Sequence, residues 1–110
     1  MKNLLVLTVV LGLASVWSLR AADAKENWTS HCAKCHGEDG KGQAAMGKKL
    51  GVKDYTDAKV QEKMKDEEMA KATKEGVKDA DGKIKMKAFG DVLTDDEIKA
   101  LVKHVRALKK

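Results

Sequence analysis

Three residues near the start of the chain have the types and the spacing needed to hold a metal-containing prosthetic group. Cys32 and Cys35 are separated by two residues, and His36 follows directly. Two thiols three positions apart span roughly one helical turn, so both can reach the two vinyl groups of one porphyrin. The adjacent imidazole can then bind the iron as the proximal ligand. The C-x-x-C-H pattern therefore predicts one covalently bound haem c.

Two other chemistries also use closely spaced cysteines. A dithiol redox motif is expected within a thioredoxin-type βαβ pattern, which the sequence does not show. A structural zinc site needs a fourth ligand, and the remaining histidines, His31 and His104, lack the spacing of a zinc finger. A chance match to the five-residue pattern is expected in roughly one chain of this length in a thousand. Haem attachment is therefore our interpretation of the motif.

The start of the chain, residues 1–24, is predicted to be a cleaved secretory signal peptide. Lys2 provides a positive start, Leu4–Ala14 is uncharged, and the Ala-Asp-Ala at positions 22–24 fits the small-x-small cleavage rule. A membrane anchor is the alternative, but the uncharged stretch over residues 3–19 is short for a spanning helix. We therefore expect a periplasmic protein, with a domain over residues 25–110 and no stable membrane insertion after cleavage.

Length and composition describe one small domain that is short of core material. Of the 110 residues, 43% are hydrophobic, 4% are aromatic and none is proline, which excludes a proline-rich linker and an aromatic nucleic-acid platform. The predicted leader carries two basic residues and one acidic residue, so its removal lowers the formal net charge from +5 to +4. Acidic residues are interspersed and arginine is almost absent, so we expect no nucleic-acid partner.

The pattern of apolar residues and of helix end signals predicts about four helices after the leader. The clearest is the last, in which Thr94 and Glu97 form a capping box ahead of a long apolar stripe. We predict that Trp28, in the first helix, contacts Leu101 and Val105 of this stripe. Glycine-rich and aperiodic segments over residues 37–51 and 77–90 are predicted to be loops. The four predicted helices cover residues 26–34, residues 56–65, residues 66–75 and a segment from position 94 onward.

Several motifs together resemble a known family, the small bacterial class I monohaem cytochromes c of the c551, c5 and c6 types. The resemblance extends over residues 25–110. It implies an all-α fold wrapped around one covalently bound haem c, with a methionine as the sixth iron ligand and electron transfer as the activity. The motifs that carry it are Trp28, the C-x-x-C-H-G run at 32–37, Gly40-Lys41-Gly42, Met86 with Phe89 and Gly90, and the Leu-Thr-Asp-Asp-Glu run at 93–97.

Four methionines follow the leader and compete for the role of sixth ligand: Met46, Met64, Met69 and Met86. Methionine is more often plain core than a metal ligand. Met86 precedes the final helix, where a loop can cross the distal haem face, and it matches the family's M-x-x-[FY] position, with Phe89 as the ring. We therefore predict His36 and Met86 as the two iron ligands.

The chain departs from the family pattern at two positions where proline is usual. Lys87 follows Met86, and Lys48 stands where a proline carbonyl often accepts a hydrogen bond from Nδ1 of the proximal histidine. We expect the Lys48 carbonyl to accept the same bond from His36. Because lysine does not pre-set the backbone as proline does, we expect both loops to be more mobile.

Lysines are frequent in the two loops that are predicted to border the haem. A plain solvated surface is one explanation, and a positive rim that steers the haem edge toward acidic partners is the other. His31 and His104 are expected to be structural, with His31 on the surface of the first helix. The loop lysines are Lys41, Lys48, Lys49, Lys83, Lys85 and Lys87.

The function predicted from these residues is that of a monomeric periplasmic electron carrier, not an enzyme. Its donor would be a quinol-oxidising complex or a periplasmic dehydrogenase, and its acceptor would be a terminal oxidase or reductase with an acidic docking surface. Two alternatives stay open. The chain can be a haem subunit of a larger redox complex, or a ligand-binding sensor or peroxidase if the sixth iron site is open.

Overall fold

The computed structural model describes residues 24–110, and the predicted signal peptide lies outside this range except for Ala24. The first helical segment, α1, covers residues 24–36 and contains a π-helical stretch at Trp28–Cys32 followed by an α-helical turn at Ala33–His36. Within the described range, no helix is long and apolar enough to cross a membrane. The other elements are α2 (Ala45–Leu50), α3 (Ala58–Lys63), α4 (Asp66–Glu75), β1 (Val77–Lys78), β2 (Ile84–Met86) and α5 (Asp95–Ala107).

The prediction of an all-α fold is confirmed, because helices dominate the described residues and the strands are short. Two segments differ from the predictions. The glycine-rich segment at 37–51, predicted as a loop, contains helix α2, which raises the number of helical segments from about four to five. The aperiodic segment at 77–90 contains a small antiparallel hairpin, in which Val77 pairs with Met86 and Lys78 pairs with Ile84.

The ends of the helices follow from local chemistry that the sequence shows. The Thr94 hydroxyl accepts a hydrogen bond from the Glu97 backbone N–H at 3.2 Å, and the Glu97 carboxylate accepts one from the Thr94 N–H at 3.0 Å. This capping box satisfies two of the free N–H groups at the start of α5. At the other end of a helix, α4 stops at Gly76, whose φ of 79° is readily adopted only by glycine.

The core joins α1 to α5 through one cluster of buried apolar side chains. Trp28 is only 2% exposed and lies in the same cluster as Leu101 and Val105, as expected from the sequence. Its ring also packs against His104 of α5, with the ring centroids 5.1 Å apart. The remaining members of this cluster are Cys32, Phe89, Leu93 and Ile98.

A polar network joins α5 to the segment between α3 and α4. Arg106 donates hydrogen bonds to the backbone carbonyls of Gln61 and Met64, each at 2.7 Å, and to the Asp66 carboxylate at 2.8 Å. The Gln61 side chain is buried, and its amide donates to the carbonyl of Val105 at 2.8 Å. Because a planar guanidinium can serve several acceptors at once, one side chain holds this turn against α5.

Candidate functional site

Helix α1 carries all three residues of the C-x-x-C-H motif. Cys32 is buried, whereas Cys35 and His36 are half-buried, and both cysteines are free thiols. The π-helical stretch at Trp28–Cys32 leads into the motif, and the helix ends at Gly37, where φ is 80°. The attachment residues therefore lie on the last turn of a helix, at the point where the chain turns away.

The backbone around His36 is held from several sides. The N–H of Gly42 donates to the His36 carbonyl at 2.8 Å, and the Trp28 indole N–H donates to the Gly37 carbonyl at 3.0 Å. Helix α2 packs so closely on this turn that a Cβ atom at Gly47 would collide with the carbonyl oxygen of Cys35. Gly47 was not recognised from the sequence, because a glycine-rich segment indicates a loop more readily than a helix contact.

The His36 imidazole lies among aromatic rings. Its ring centroid is 5.2 Å from that of Tyr55 and 5.7 Å from that of Trp28. Burial lowers the pKa of His36 below its ordinary value, which favours the neutral imidazole. Neutral imidazole is the form that binds a metal, so the environment of His36 suits a ligand.

The hydrogen bond expected between His36 and the carbonyl of Lys48 does not form. Among the described residues, His36 Nδ1 is buried without a hydrogen-bond partner. Lys48 lies within α2, and its carbonyl accepts from the Gly51 N–H at 3.3 Å, where the helix ends. The prediction was wrong because it placed Lys48 in a loop, whereas the helical backbone uses this carbonyl itself.

The thiol of Cys32 lacks the lowered pKa that is typical of a redox nucleophile. Burial raises its pKa to about 11, and the charge of Cys35 adds to the effect. Reactive thiols of dithiol redox proteins have lowered pKa values instead. No parallel βαβ unit exists in the described chain, and within it no group of three or more side chains could hold a zinc ion. These observations disfavour both alternatives to haem attachment.

A cavity of about 740 Å³ lies beside the motif, and the side chains that line it include Cys32, Cys35, His36 and Met86. Its volume is within the range of roughly 300–1,000 Å³ that cofactor pockets occupy. A second cavity of about 210 Å³ shares several of its walls. Two free thiols, an imidazole whose neutral form is favoured and a thioether thus border one space, which is the donor set that haem c requires.

Met86 is not the only methionine at this cavity. Met64 also lines both cavities, whereas Met46 lines the larger and Met69 the smaller. Met64 follows α3 in extended conformation, with its carbonyl held by Arg106. Met64 was expected within the helix predicted over residues 56–65, whereas the helix ends at Lys63, and no local sequence signal indicates the Arg106 contact that holds Met64.

The basic residues at the cavity are partly different from those expected. Lys85 and Lys87 line the larger cavity, together with Lys34 and Lys53, and no acidic residue is among its lining side chains. The other expected lysines are absent from this lining, namely Lys41, Lys48, Lys49 and Lys83. His31 is half-buried and lines the cavity too, with its ring centroid 5.5 Å from that of Phe89, so this side chain contacts the site as well as the surface.

The comparisons with known proteins agree with this geometry. The family model described as cytochrome c oxidase, cbb3-type, subunit III matches residues 19–105. Among solved structures, the KustC0563 c-type cytochrome is 36% identical and has a TM-score of 0.70, and the match covers 80% of this chain and 99% of that one. A tyrosine-to-phenylalanine mutant of Kustc0563 matches with 36% identity, a TM-score of 0.67 and coverage of 79% and 99%. No protein in the curated collection is similar enough to count as a relative.

Proposed function

Because this chain belongs to the cytochrome c family whose model matches residues 19–105, we propose that it is a periplasmic electron carrier with His36 and Met86 as axial ligands of its haem c. Membership of this family implies covalently bound haem c and haem-based electron transfer. When bound, haem c supplies a reversible one-electron iron couple. The observation that carries the proposal is that Cys32, Cys35, His36 and Met86 all line one cavity.

Each of these residues has a separate task in the proposed carrier. Cys32 and Cys35 anchor the group covalently, which prevents its loss outside the cytoplasm. His36 offers a neutral nitrogen because burial lowers its pKa. Met86 contributes a soft thioether, which favours the ferrous state and raises the reduction potential relative to a second histidine. No residue is asked to act as an acid, a base or a nucleophile.

The ferric absorption spectrum of the haem-loaded protein tests this ligation. A far-red sulfur-to-iron band is expected in the wild type and should be lost in Met86→Ala. Met64→Leu is the matched control, because Met64 lines the same cavities, and it should retain the band. A band that survives Met86→Ala and disappears in Met64→Leu would assign the sixth ligand to Met64. No band in the wild type would instead favour the ligand-binding sensor or peroxidase.

The respiratory partners are proposed to dock at the cavity mouth through acidic surfaces. Lys34, Lys53, Lys85 and Lys87 line the cavity without an acidic residue among them, which supports a positive docking face. The donor is then a quinol-oxidising complex or a periplasmic dehydrogenase, and the acceptor is a terminal oxidase or reductase. Such a face raises the association rate with acidic proteins, and the gain falls as salt increases.

Charge removal at this face should slow electron transfer to an acidic redox protein at low salt. We expect Lys85→Gln to lower the bimolecular rate about twofold, because a unit charge about 8 Å away in water is worth roughly 0.5 kcal/mol. Lys99→Gln, on the exposed face of α5, removes the same charge away from the cavity and should change the rate much less. Equal effects of the two variants, or a flat salt dependence in the wild type, would contradict the docking face.

A role as a haem subunit of a larger redox complex is the second candidate. The family model is described as a subunit of a cbb3-type oxidase, which supports it. Ile84 and Val92, which are 65% and 59% exposed, offer apolar contacts at the surface. In favour of the carrier, the match spans 99% of the KustC0563 c-type cytochrome, so that protein is about as small as this domain. Sedimentation of the native protein separates the two candidates, since a carrier sediments as a monomer.

A further inference from the structure

The segment that carries Met86 has no proline to stiffen it, yet the structure holds it at both ends. We propose that Asp79 is a positioning residue for Met86, because its carboxylate closes the hairpin whose second strand carries that methionine. The inference rests on the proposed role of Met86 as an iron ligand. It concerns how long the sulfur stays in place, which neither the family resemblance nor the cavity itself addresses.

The turn of the hairpin is built on the Asp79 side chain. Its Oδ1 atom accepts hydrogen bonds from the backbone N–H groups of Asp81 and Lys83, both at 2.9 Å. The Asp79 N–H donates to the Lys83 carbonyl at 2.9 Å, and the Gly82 N–H donates to the Asp79 carbonyl at 3.1 Å. One carboxylate thus completes the turn that connects the two antiparallel strands.

The strands themselves are too short to hold together without this turn. β1 has two residues and β2 has three, and the ladder is irregular between Val77 and Lys78. A two-stranded hairpin alone is marginally stable in water, so the contacts at its ends decide whether it stays closed. Ile84 in β2 is 65% exposed, so this strand gains little from burial.

The other end of the hairpin is fastened to helix α4. The N–H of Phe89 donates to the Thr73 carbonyl at 2.9 Å, and the buried Phe89 ring belongs to the core cluster. A Cβ atom at Gly76 would lie 2.7 Å from the Met86 carbonyl oxygen, so only glycine permits this approach. Met86 therefore lies between the end of the hairpin that is fixed to α4 and the turn that is built on Asp79. Opening of the turn frees one of the two supports of this methionine.

The rate at which an external ligand replaces Met86 tests the proposal. Imidazole is added to the ferric haem-loaded protein, and loss of the far-red band is followed by stopped-flow absorption. At saturating imidazole the rate is set by departure of the methionine. We expect Asp79→Ala to raise this limiting rate roughly tenfold, because two hydrogen bonds to a charged acceptor are lost. Asp79→Asn keeps an oxygen in the same place and should stay within about twofold of the wild type.

Two further variants keep the test decisive. Asp81→Ala removes a carboxylate from the same turn whose oxygens accept none of the bonds described, so it should leave the rate unchanged. Asp79→Ser retains a shorter acceptor and should give an intermediate rate, and it replaces Asp79→Ala if that variant does not fold. Denaturant midpoints measured in parallel should stay close to that of the wild type even where the limiting rate rises, since the turn lies outside the core.

The outcomes separate this inference from the proposed function. A wild-type protein without the far-red band contradicts ligation by Met86, and the inference falls with it. A wild-type band together with equal limiting rates for Asp79→Ala and the wild type overturns the inference alone. Equal acceleration in Asp79→Ala, Asp79→Asn and Asp81→Ala would overturn it too, because the cause would then be charge and not the hydrogen bonds.

Discussion

The two proposed ligands lie on segments that are held in different ways. The His36 half, residues 28–50, is a helix end over which α2 packs closely, and the carbonyls of His36 and Gly37 accept hydrogen bonds from the Gly42 N–H and the Trp28 indole N–H. The Met86 half, residues 61–90, places its methionine on a strand of three residues whose neighbours Lys85 and Lys87 are exposed. A closely packed helix turn and buried apolar contacts with α5 hold the first half, whereas a few backbone and carboxylate hydrogen bonds at the two ends of a short hairpin hold the second.

This difference has a physical consequence for an electron carrier. A ligand on a rigid helix end keeps its position, whereas a ligand on a short hairpin depends on a few hydrogen bonds that open together. Regions with few buried contacts and exposed backbone hydrogen bonds open locally before the whole protein unfolds. We therefore expect the Met86 half to open first, and the His36 half to open only when the whole protein unfolds.

The largest expected effect tests the rigidity of the His36 half. In Gly47→Ala, the new Cβ atom would collide with the Cys35 carbonyl, which forces α2 away from the motif. We expect a loss of about 3 kcal/mol in the free energy of unfolding, the upper part of the range for overpacked sites. Chemical denaturation of the haem-loaded protein measures it.

Gly51→Ala is the matched control for that substitution. Gly51 ends the same helix with a φ of 69°, but a Cβ there meets nothing within 4 Å. Its cost should be only about 1 kcal/mol, from the left-handed backbone alone. If α2 were loosely packed, Gly47→Ala would stabilise the protein by up to about 1 kcal/mol through helix propensity. A gain of that kind would remove the distinction between the two halves.

A smaller effect is expected in the Met86 half, where Arg106 holds the turn before α4. Arg106→Ala removes the Arg106 donor from the Met64 carbonyl and from Oε1 of Gln61, takes one of two donors from the Gln61 carbonyl, and leaves Asp66 without its partner. We expect a loss of about 2 kcal/mol in the free energy of unfolding, consistent with unpaired acceptors that stay partly buried. The far-red band should also weaken at a lower temperature, because α4 anchors the hairpin.

Two conservative substitutions show which of the Arg106 contacts matters. Lysine is a point charge that can pair with Asp66 but cannot donate to two carbonyls as a planar guanidinium does. Arg106→Lys should therefore lose nearly as much free energy of unfolding as Arg106→Ala. Asp66→Asn removes an exposed ion pair and should cost at most about 1 kcal/mol. Full rescue by lysine would mean that the ion pair, and not the carbonyl contacts, stabilises this turn.

The features that the sequence analysis recognised are those whose signals are local. The C-x-x-C-H motif, the capping box at Thr94 and the start of α4 at Asp66 each depend on residues within one helical turn of one another. The helix over Asp66–Glu75 was predicted with the same bounds that the structure has. Met86 was chosen because it precedes the final helix and because it matches the family's M-x-x-[FY] position. Met64 lines the same cavities, and no spacing rule separates the two.

The missed features depend on contacts that no periodic sequence pattern reveals. The hairpin has too few residues for an alternating pattern to show, and its turn depends on the Asp79 carboxylate. Helix α2 contains Gly47, which disfavours a helix locally and is required by the approach of Cys35. Arg106 contacts residues at least 40 positions away. Helix α2 and the Arg106 contacts were missed because tertiary contacts decide them, whereas the hairpin was missed because its strands are too short to leave a pattern.

The smallest expected effect concerns the start of α5 and its link to the His36 half. Hydrogen bonds from the Thr94 backbone and from the Asn27 side chain lower the pKa of Glu97 below its ordinary value of 4.5. A lowered pKa in the folded state means that the stabilisation is complete above that ordinary value and is lost as the pH falls through the lowered one. Glu97→Gln should therefore differ most from the wild type near neutral pH, and the difference in stability should shrink under acid conditions.

Asn27→Ala provides the comparison that ties this pH dependence to helix α1. The Asn27 amide donates to the Glu97 carboxylate at 3.0 Å across 70 positions of sequence, so its removal takes away one cause of the lowered pKa. The acid loss of stability should then be smaller and should be complete at a higher pH than in the wild type, and denaturation curves recorded between about pH 3 and pH 7 would show it. An unchanged pH profile in Asn27→Ala would mean that the capping box alone sets the pKa of Glu97. In that case α5 supports the His36 half only through the apolar contacts of Trp28 and its neighbours.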